Sequence, residues 1–522
     1  MKFALLTSLV FATSVYNAEG FIVCNPSQVV SPNSTTDVQT IIQQAAASGT
    51  SVKAIAAGHS TNYIICPQDG GISIRMDNMD SIVSYDSDKL QVTVQGGAPL
   101  VKFFKDLIPL GMSVDYGAIT VAGSIATGAH SSSLKVQSGV ADHIIAVKLV
   151  NGLGDVVEIK KGDPDFLAVH TNLGALGILT EVTFQAVRLF KVKGQQIDLS
   201  NRIDTLPDDI VGLVEQHDYA NLYWFADNNA AILHTYNKVD PSTPGNGYRT
   251  TWDPSFSSVV PWVYYKAIAE LNKIGTENEM CLLAETRAIQ LKSRETTEDV
   301  GYLGDMYMGH ICKGSSCLFP QVDDVEFAVP LDKISSVLKD IKSITDATKI
   351  CFPVFGLYVR FGLGSETLQG PTRNGAVAYV ELHVLRTTDN TPHLGFAAVD
   401  EIRQLLSKKY KAQAHYGKNF PVDFYGTDNQ DFNDIAARYD PIGIFQNNFL
   451  QSRKLNASQI TDPQCAFNRK CVCQTDAHCY PGWVCSTGTW YKDANVCKKG
   501  KGLHCERGDE CASGSCSWLK CQ

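Results

Sequence analysis

The sequence predicts an α+β protein of more than one domain, and three observations carry that reading. Short amphipathic and β-branched segments alternate along most of the chain, its 522 residues exceed what one core organises, and composition changes sharply near the C-terminus. Hydrophobic residues at 44% and charged residues at 19% describe a globular chain able to bury a sizeable cavity. A net charge of −9 argues against nucleic acid or an anionic membrane as the main partner.

The elements follow in order. Residues 1–20 read as a secretory signal: Lys2 precedes an apolar run from Phe3 to Ala12, then small and polar residues lead to Ala18 and Gly20, with cleavage expected around Glu19 to Phe21. The run is too short to span a bilayer, so a secreted, extracellular protein is expected, and sixteen cysteines suit the disulfides of an oxidising compartment. Asn33-Ser34-Thr35 and Asn456-Ala457-Ser458 fit N-glycosylation acceptors.

Thr36 to Ala47 has helical apolar spacing, and Val52 to Ile55 follows as a strand. Leu90 to Val94 alternates as a strand and meets Gly96-Gly97, after which Leu100 to Leu110 reads as a helix. Val147–Val150 and Val156–Ile159 flank Asn151-Gly152-Leu153-Gly154-Asp155 as a hairpin, and a first domain, 21–188, ends near Arg188. A second region, 189–404, carries aromatic-rich strands and a hydrophilic loop at Asp240 to Tyr248 expected to be mobile. A segment 405–455 precedes a tail, 456–522, that holds ten of the sixteen cysteines and too little apolar sequence for a core, so disulfides rather than zinc are expected to hold it. The tail is expected to be a separable module that binds or anchors through an extracellular protein or glycan partner.

The chemistry-bearing segments are few. Ala56-Ala57-Gly58-His59-Ser60 places an imidazole on a small-residue turn at the end of a strand. Gly117 to Ser133, including Thr120, Gly123, Ser124, Ala126, Thr127, Gly128, His130 and Ser131, offers close backbone approach and hydroxyl donors that suit a diphosphate. It is neither a Gly-x-Gly-x-x-Gly fingerprint nor a Walker loop, which disfavours nicotinamide cofactors and nucleoside triphosphates. Gly174 and Gly177 precede an alternating strand that begins at Ile178.

These segments, with His415-Tyr416-Gly417-Lys418 and Tyr439-Asp440-Pro441-Ile442-Gly443-Ile444-Phe445-Gln446-Asn447, stand in the order found in a known family. The chain resembles the aldonolactone and alditol oxidases, the L-gulonolactone oxidase-like branch of the vanillyl-alcohol-oxidase (PCMH-type) flavoproteins, over roughly residues 36 to 450. The resemblance implies a two-part FAD-binding domain at 21–188, an α+β substrate or cap domain at 189–404, and a segment at 405–455 that returns to the flavin. It implies FAD bound covalently through His59, with Gly58, Ser60, Gly117, Thr120, Gly123, Ser124, Ala126, Thr127, Gly128, His130, Gly177, Ile178, His415 and Lys418 around it. No Cys in the second loop offers a second flavin linkage, and no metal site is expected.

Oxidation of a carbinol removes a hydride and a proton and leaves negative charge on the reduced flavin, so Lys418 and Arg360 are candidate stabilising cations. Lys418 would act as a base instead only if burial depressed its pKa. One departure stands out: in Tyr358-Val359-Arg360, Tyr358 occupies the place of the family's carboxylate. Glu381 and His383, two apart on an alternating strand, share a face and either could take the missing role, or both could face solvent. The sequence thus reads as a secreted FAD-dependent oxidase of the CH–OH group of a sugar lactone or related polyol, with O2 as acceptor and H2O2 as product. The alternatives are an alditol or carbohydrate oxidase unrelated to ascorbate synthesis, and a degenerate flavoprotein that binds through its tail.

Overall fold

The computed structural model describes residues 14–114, 120–227, 229–245, 277–292, 299–308, 322–348, 356–387, 389–456 and 460–522. Gly117, the end of the loop toward Tyr248, and Cys312, Cys317 and Cys351 lie outside the described residues.

The first domain is built on two sheets. β1 (Gln28–Val30) leads to helix α1 (Thr35–Ser48), whose N-terminus is capped by the Ser34 side chain accepting from the Asp37 N–H and whose C-terminus stops at Gly49 in the left-handed region. Its apolar face, Val38, Ile42 and Ala45, packs on β2 (Val52–Ile55) and β3 (Ile72–Arg75), which pair in parallel with β1 in the order β1-β3-β2. The second sheet takes β4 (Ile82–Asp86), β5 (Gln91–Gln95), β6 (Ile144–Val150), β7 (Val156–Lys160) and β8 (Ile178–Gln185) in the antiparallel order β7-β6-β8-β5-β4. Between its strands run α2 (Leu100–Leu107), which continues as a 3₁₀ turn to Leu110, and the short α3 (Val121–Thr127). The hairpin expected around Asn151 is the β6–β7 pair, with Val150 opposite Val156.

The second domain is one eight-stranded antiparallel sheet. It contains β9 (Lys191–Asp198), β10 (Tyr219–Phe225), β11 (Ala230–Val239), β12 (Asp299–Tyr302), β13 (Val322–Pro330), β14 (Leu357–Gly362), β15 (Val377–Leu385) and β16 (Gln413–Ala414), ordered β12-β9-β11-β10-β14-β15-β13-β16. Alternation sorts its faces. Val325, Phe327, Val329, Val359, Phe361, Val380 and Leu382 pack into the main core with helices at Leu206–Val214 and Ile334–Thr348, while the intervening polar residues face the first domain.

The tail is disulfide-built, as its composition predicts. Cys465–Cys471, Cys473–Cys485, Cys479–Cys497, Cys505–Cys516 and Cys511–Cys521 are bonded, and Cys24–Cys66 cross-links the first domain. It is not tethered loosely, which revises the expectation of a separable module. Phe396, at the start of the helix Phe396–Gln404, packs among Cys465, Cys471, Cys473, Cys479 and Cys497. Glu401 of that helix, 1% exposed, accepts from the backbone N–H groups of Thr489, Trp490 and Tyr491 at 2.6, 2.7 and 2.5 Å. Arg469 reaches Asp400 in a buried cluster with Arg403 and Asp423. Among the described residues no helix is long and apolar enough to cross a membrane.

Candidate active site

At the end of β2 the chain turns at Gly58, whose φ of +70° is the left-handed conformation that glycine adopts without strain. His59 emerges beside Ser60 into a cavity of about 410 Å³. The following residues fasten this turn to the His415–Lys418 segment. The Thr61 N–H donates to Gly417 O at 2.9 Å, the Thr61 hydroxyl to Lys418 O at 2.7 Å, and Asn62 Nδ2 to Tyr416 O and Asn419 O at 2.8 Å each. Segments more than 350 residues apart in sequence thereby become one wall.

Small residues make another part of the wall. Thr120 precedes α3, and Thr120, Ala122, Gly123, Ser124, Ala126, Thr127 and His130 line the cavity with Gly177 and Ile178. Close backbone approach explains two glycines: a Cβ on Gly96 would stand 2.2 Å from Leu179 O, and one on Gly177 would stand 2.4 Å from Val150 O. Backbone, hydroxyl and small apolar groups at one end and charged groups at the other form a donor set that fits FAD, a diphosphate carrying a redox ring. Two expected contacts are corrected. Gly128 ends α3 at φ +74° and faces Thr171 behind the cavity wall, and Ser131 is buried with its hydroxyl donating to Ser138 O, so neither lines the cavity.

The charged end is laid out by strand register. Tyr223 of β10, Tyr358 of β14, Glu381 of β15 and Glu326 of β13 are successive cross-strand partners, so they form one row on the face toward the first domain. Glu326 is 0% exposed and is the hub. It accepts from Arg360, from Lys418 Nζ at 3.0 Å and from His130 Nε2 at 2.7 Å. Burial, with the Arg360 cation nearby, lowers the His130 pKa, so the ring is neutral and carries one N–H, with Nε2 2.7 Å from Glu326 and Nδ1 3.0 Å from Ser131 O. Tyr379 stacks on the His130 ring.

Glu381 accepts from Arg360 at 2.8 Å, from Lys418, and from His383 Nε2 at 2.9 Å, while Asp324, cross-strand from His383, lies 3.6 Å from the same nitrogen. Burial alone would raise both glutamates, yet the cations overrule it: Glu326 is held well below the carboxylate range and Glu381 near 2. Burial opposes the charge on Lys418 too, but Glu326 and Glu381 raise its pKa, so it is a fixed cation rather than a base. His383 is raised by Glu381 and Asp324 against its burial, and burial raises Asp324. His415 is driven down to about 3 by burial, and its Nδ1 accepts from the Gly417 N–H, leaving a neutral ring. The clusters His130-Glu326-His415 and Asp324-Glu381-His383 bring ligand atoms together, but Arg360 and Lys418 already occupy the Glu326 and Glu381 carboxylates.

Arg360, Glu381, His383, His415, Lys418 and Tyr358 all line the cavity, so the alternative that Glu381 and His383 face solvent is overturned. Tyr358 stacks on Tyr223 with ring centroids 4.6 Å apart, and the Arg360 guanidinium lies over its ring at 5.2 Å. Glu326, Asp324 and Lys53 escaped the sequence reading. The first two sit at alternate positions of Val322-Asp323-Asp324-Val325-Glu326-Phe327, a pattern that marks a polar face without showing that another domain covers it.

Comparison with known proteins agrees with this geometry. Residues 26–160 match the FAD binding domain model, 182–453 the D-arabinono-1,4-lactone oxidase model, and 462–499 the model of the L-gulonolactone oxidase 2-like C-terminal domain. The last match carries the family likeness past residue 450 into the tail. The chain is 25% identical to probable L-gulonolactone oxidase 1 of Arabidopsis thaliana, over 92% of this chain and 90% of that one. It is 24% identical to L-gulonolactone oxidase of Mus musculus, over 82% of this chain and 95% of the mouse protein. The fold is shared with cholesterol oxidase from B. sterolicum, at a TM-score of 0.68 and 15% identity over 84% of this chain and 96% of that one.

Proposed function

The chain belongs to the D-arabinono-1,4-lactone oxidase family and is an FAD-dependent oxidoreductase, and from that premise we propose that it oxidises the CH–OH group of a sugar lactone of the L-gulono-1,4-lactone type. The observation that carries this reading is the pair of fixed cations, Arg360 and Lys418, held between Glu326 and Glu381 where the cavity meets the large sheet. Bound FAD supplies the acceptor for the hydride. With FAD bound, Lys418 and Arg360 would face and stabilise the negative charge gained at the substrate oxygen and at the cofactor. Glu381 does from the neighbouring strand what a carboxylate at 358 would do, orienting Arg360 and offering an acceptor to a substrate hydroxyl.

His383 takes the hydroxyl proton. Its Nε2 is anchored to Glu381, which leaves Nδ1 as the accepting nitrogen. His415 is too weak a base, and Lys418 holds its proton too firmly.

His59 carries the flavin covalently in this reading, supported by its place on the Gly58 turn in the cavity wall. Molecular oxygen is the electron acceptor and hydrogen peroxide the second product, supported by Ala122, Gly123 and Ser124 lining the cavity with little bulk. The protein acts after secretion and carries glycan at Asn33, which is exposed. Its mature N-terminus bears on the site, because Ala18 N–H donates to Gly58 O and Asn17 Nδ2 to Ser60 O, contacts that cleavage after Glu19 would remove. The deciding experiment is anaerobic mixing of the purified yellow protein with L-gulono-1,4-lactone, alditols and aldoses. Bleaching by the lactone at the lowest concentration supports the reading; bleaching by an alditol alone replaces the substrate class.

A further inference from the structure

The cavity is lined by two lysines among the described residues, and they are in opposite situations. Lys418 touches two carboxylates. Lys53, on β2 just before the His59 turn, is 3% exposed, and no carboxylate among the described residues comes within ion-pairing distance of it. Its Nζ has only long contacts, 3.5 Å to Leu173 O and 3.5 Å to Gly174 O. A buried ammonium without a counter-ion is costly, and the carbonyls that Nζ touches belong to the Leu173–Gly174 stretch, which lines the cavity together with small residues of the kind that suit a diphosphate.

We propose that Lys53 is the counter-charge to the FAD diphosphate, and that the site takes up a proton on this lysine when the cofactor binds. The inference rests on FAD occupying this cavity. The groups facing Lys53 leave it little other choice. Its cross-strand partner Ser73 is uncharged, the loop from Asn172 to Gly177 offers carbonyls, and Asp440, the nearest acid, spends its carboxylate on the N–H groups of Gly443, Ile444 and Phe445 at 3.0, 3.0 and 2.8 Å. Burial lowers Lys53 to about 7 with that distant acid only partly opposing it, so the amine of the empty protein loses its proton above neutrality. A bound diphosphate favours the charged form. Affinity for it is therefore full below pH 7 and falls by up to tenfold per pH unit above, until the raised pKa of the complex is reached.

The test uses full-length His59→Ala protein, in which flavin exchanges, and measures affinities for FAD, ADP and riboflavin by fluorescence titration and competition from pH 6 to 9. With Lys53 intact, FAD and ADP weaken as pH rises while riboflavin does not. Lys53→Met weakens FAD and ADP at least tenfold at pH 6.5, leaves riboflavin unchanged and removes the slope; Lys53→Arg retains affinity without the slope. A flat pH profile with Lys53 intact, or equal losses for riboflavin and FAD in Lys53→Met, overturns the inference. Failure of the Lys53-intact protein to bind any FAD overturns the cofactor reading itself.

Discussion

Glu381 is the direct cross-strand partner of Tyr358, so its carboxylate stands one strand over on the same face of the sheet and reaches Arg360, two residues along from Tyr358, at 2.8 Å.

Glu381→Gln should therefore lower kcat/KM for the lactone about a hundredfold, on the order of 3 kcal/mol of transition-state stabilisation. Combining it with Tyr358→Glu should restore part of the loss. Steady-state kinetics of the single and double variants check this, and an unchanged Glu381→Gln enzyme removes the residue from the mechanism.

Lys418→Met should slow flavin reduction by about a hundredfold, because the site loses one of the two fixed cations that Glu326 and Glu381 hold, leaving Arg360 alone. Stopped-flow measurement of the reductive half-reaction is the check. Unaltered reduction would make Lys418 a purely structural cation.

The pH dependence has a definite sign. Glu381 and Asp324 raise the His383 pKa above its ordinary value against the effect of burial, so it keeps its proton to higher pH than a free imidazole, and while it is charged its Nδ1 is occupied. Reduction should accelerate as pH rises through that elevated pKa, and His383→Gln should be slow with this limb absent. The same shift means that charged His383 stabilises the fold fully at low pH and loses that contribution as pH rises through the folded pKa. A rate that falls over this range contradicts the assignment.

Denaturing the protein in acid should leave flavin fluorescence on the polypeptide, and His59→Ala should release it into the supernatant. Fluorescence retained by His59→Ala would place the linkage elsewhere.

Glu401→Gln should lower stability by about 3 kcal/mol, since a buried carboxylate gives up charge-assisted bonds from three backbone N–H groups of the tail. A stop before Cys465 should cost more, because it also uncovers Phe396. Denaturant unfolding of both variants tests whether the tail is part of the catalytic body. A truncated protein as stable as the full chain would show that it is not.

The sequence by itself determined the elements whose causes are local. Alternation set β2 at Val52 to Ile55, helical spacing and the Ser34 cap set α1, and glycine placement marked the turn that presents His59 and the approach that only Gly177 permits. It also determined that the tail would be cross-linked, because a segment without apolar runs has little else to hold it. Only the tertiary structure decided which polar residues lie in the dark. Asp324, Glu326, Glu381 and His383 have the alternation of a solvated strand face, and they become a buried charge cluster because the first domain, anchored through Thr61 and Asn62 to the Tyr416–Asn419 segment, closes over that face. Lys53 and Glu401 follow the same rule. A side chain's chemistry is written at its own position, but its burial and its partners are set by chain hundreds of residues away, and burial and partners decide whether a charge is a surface ornament or part of a site.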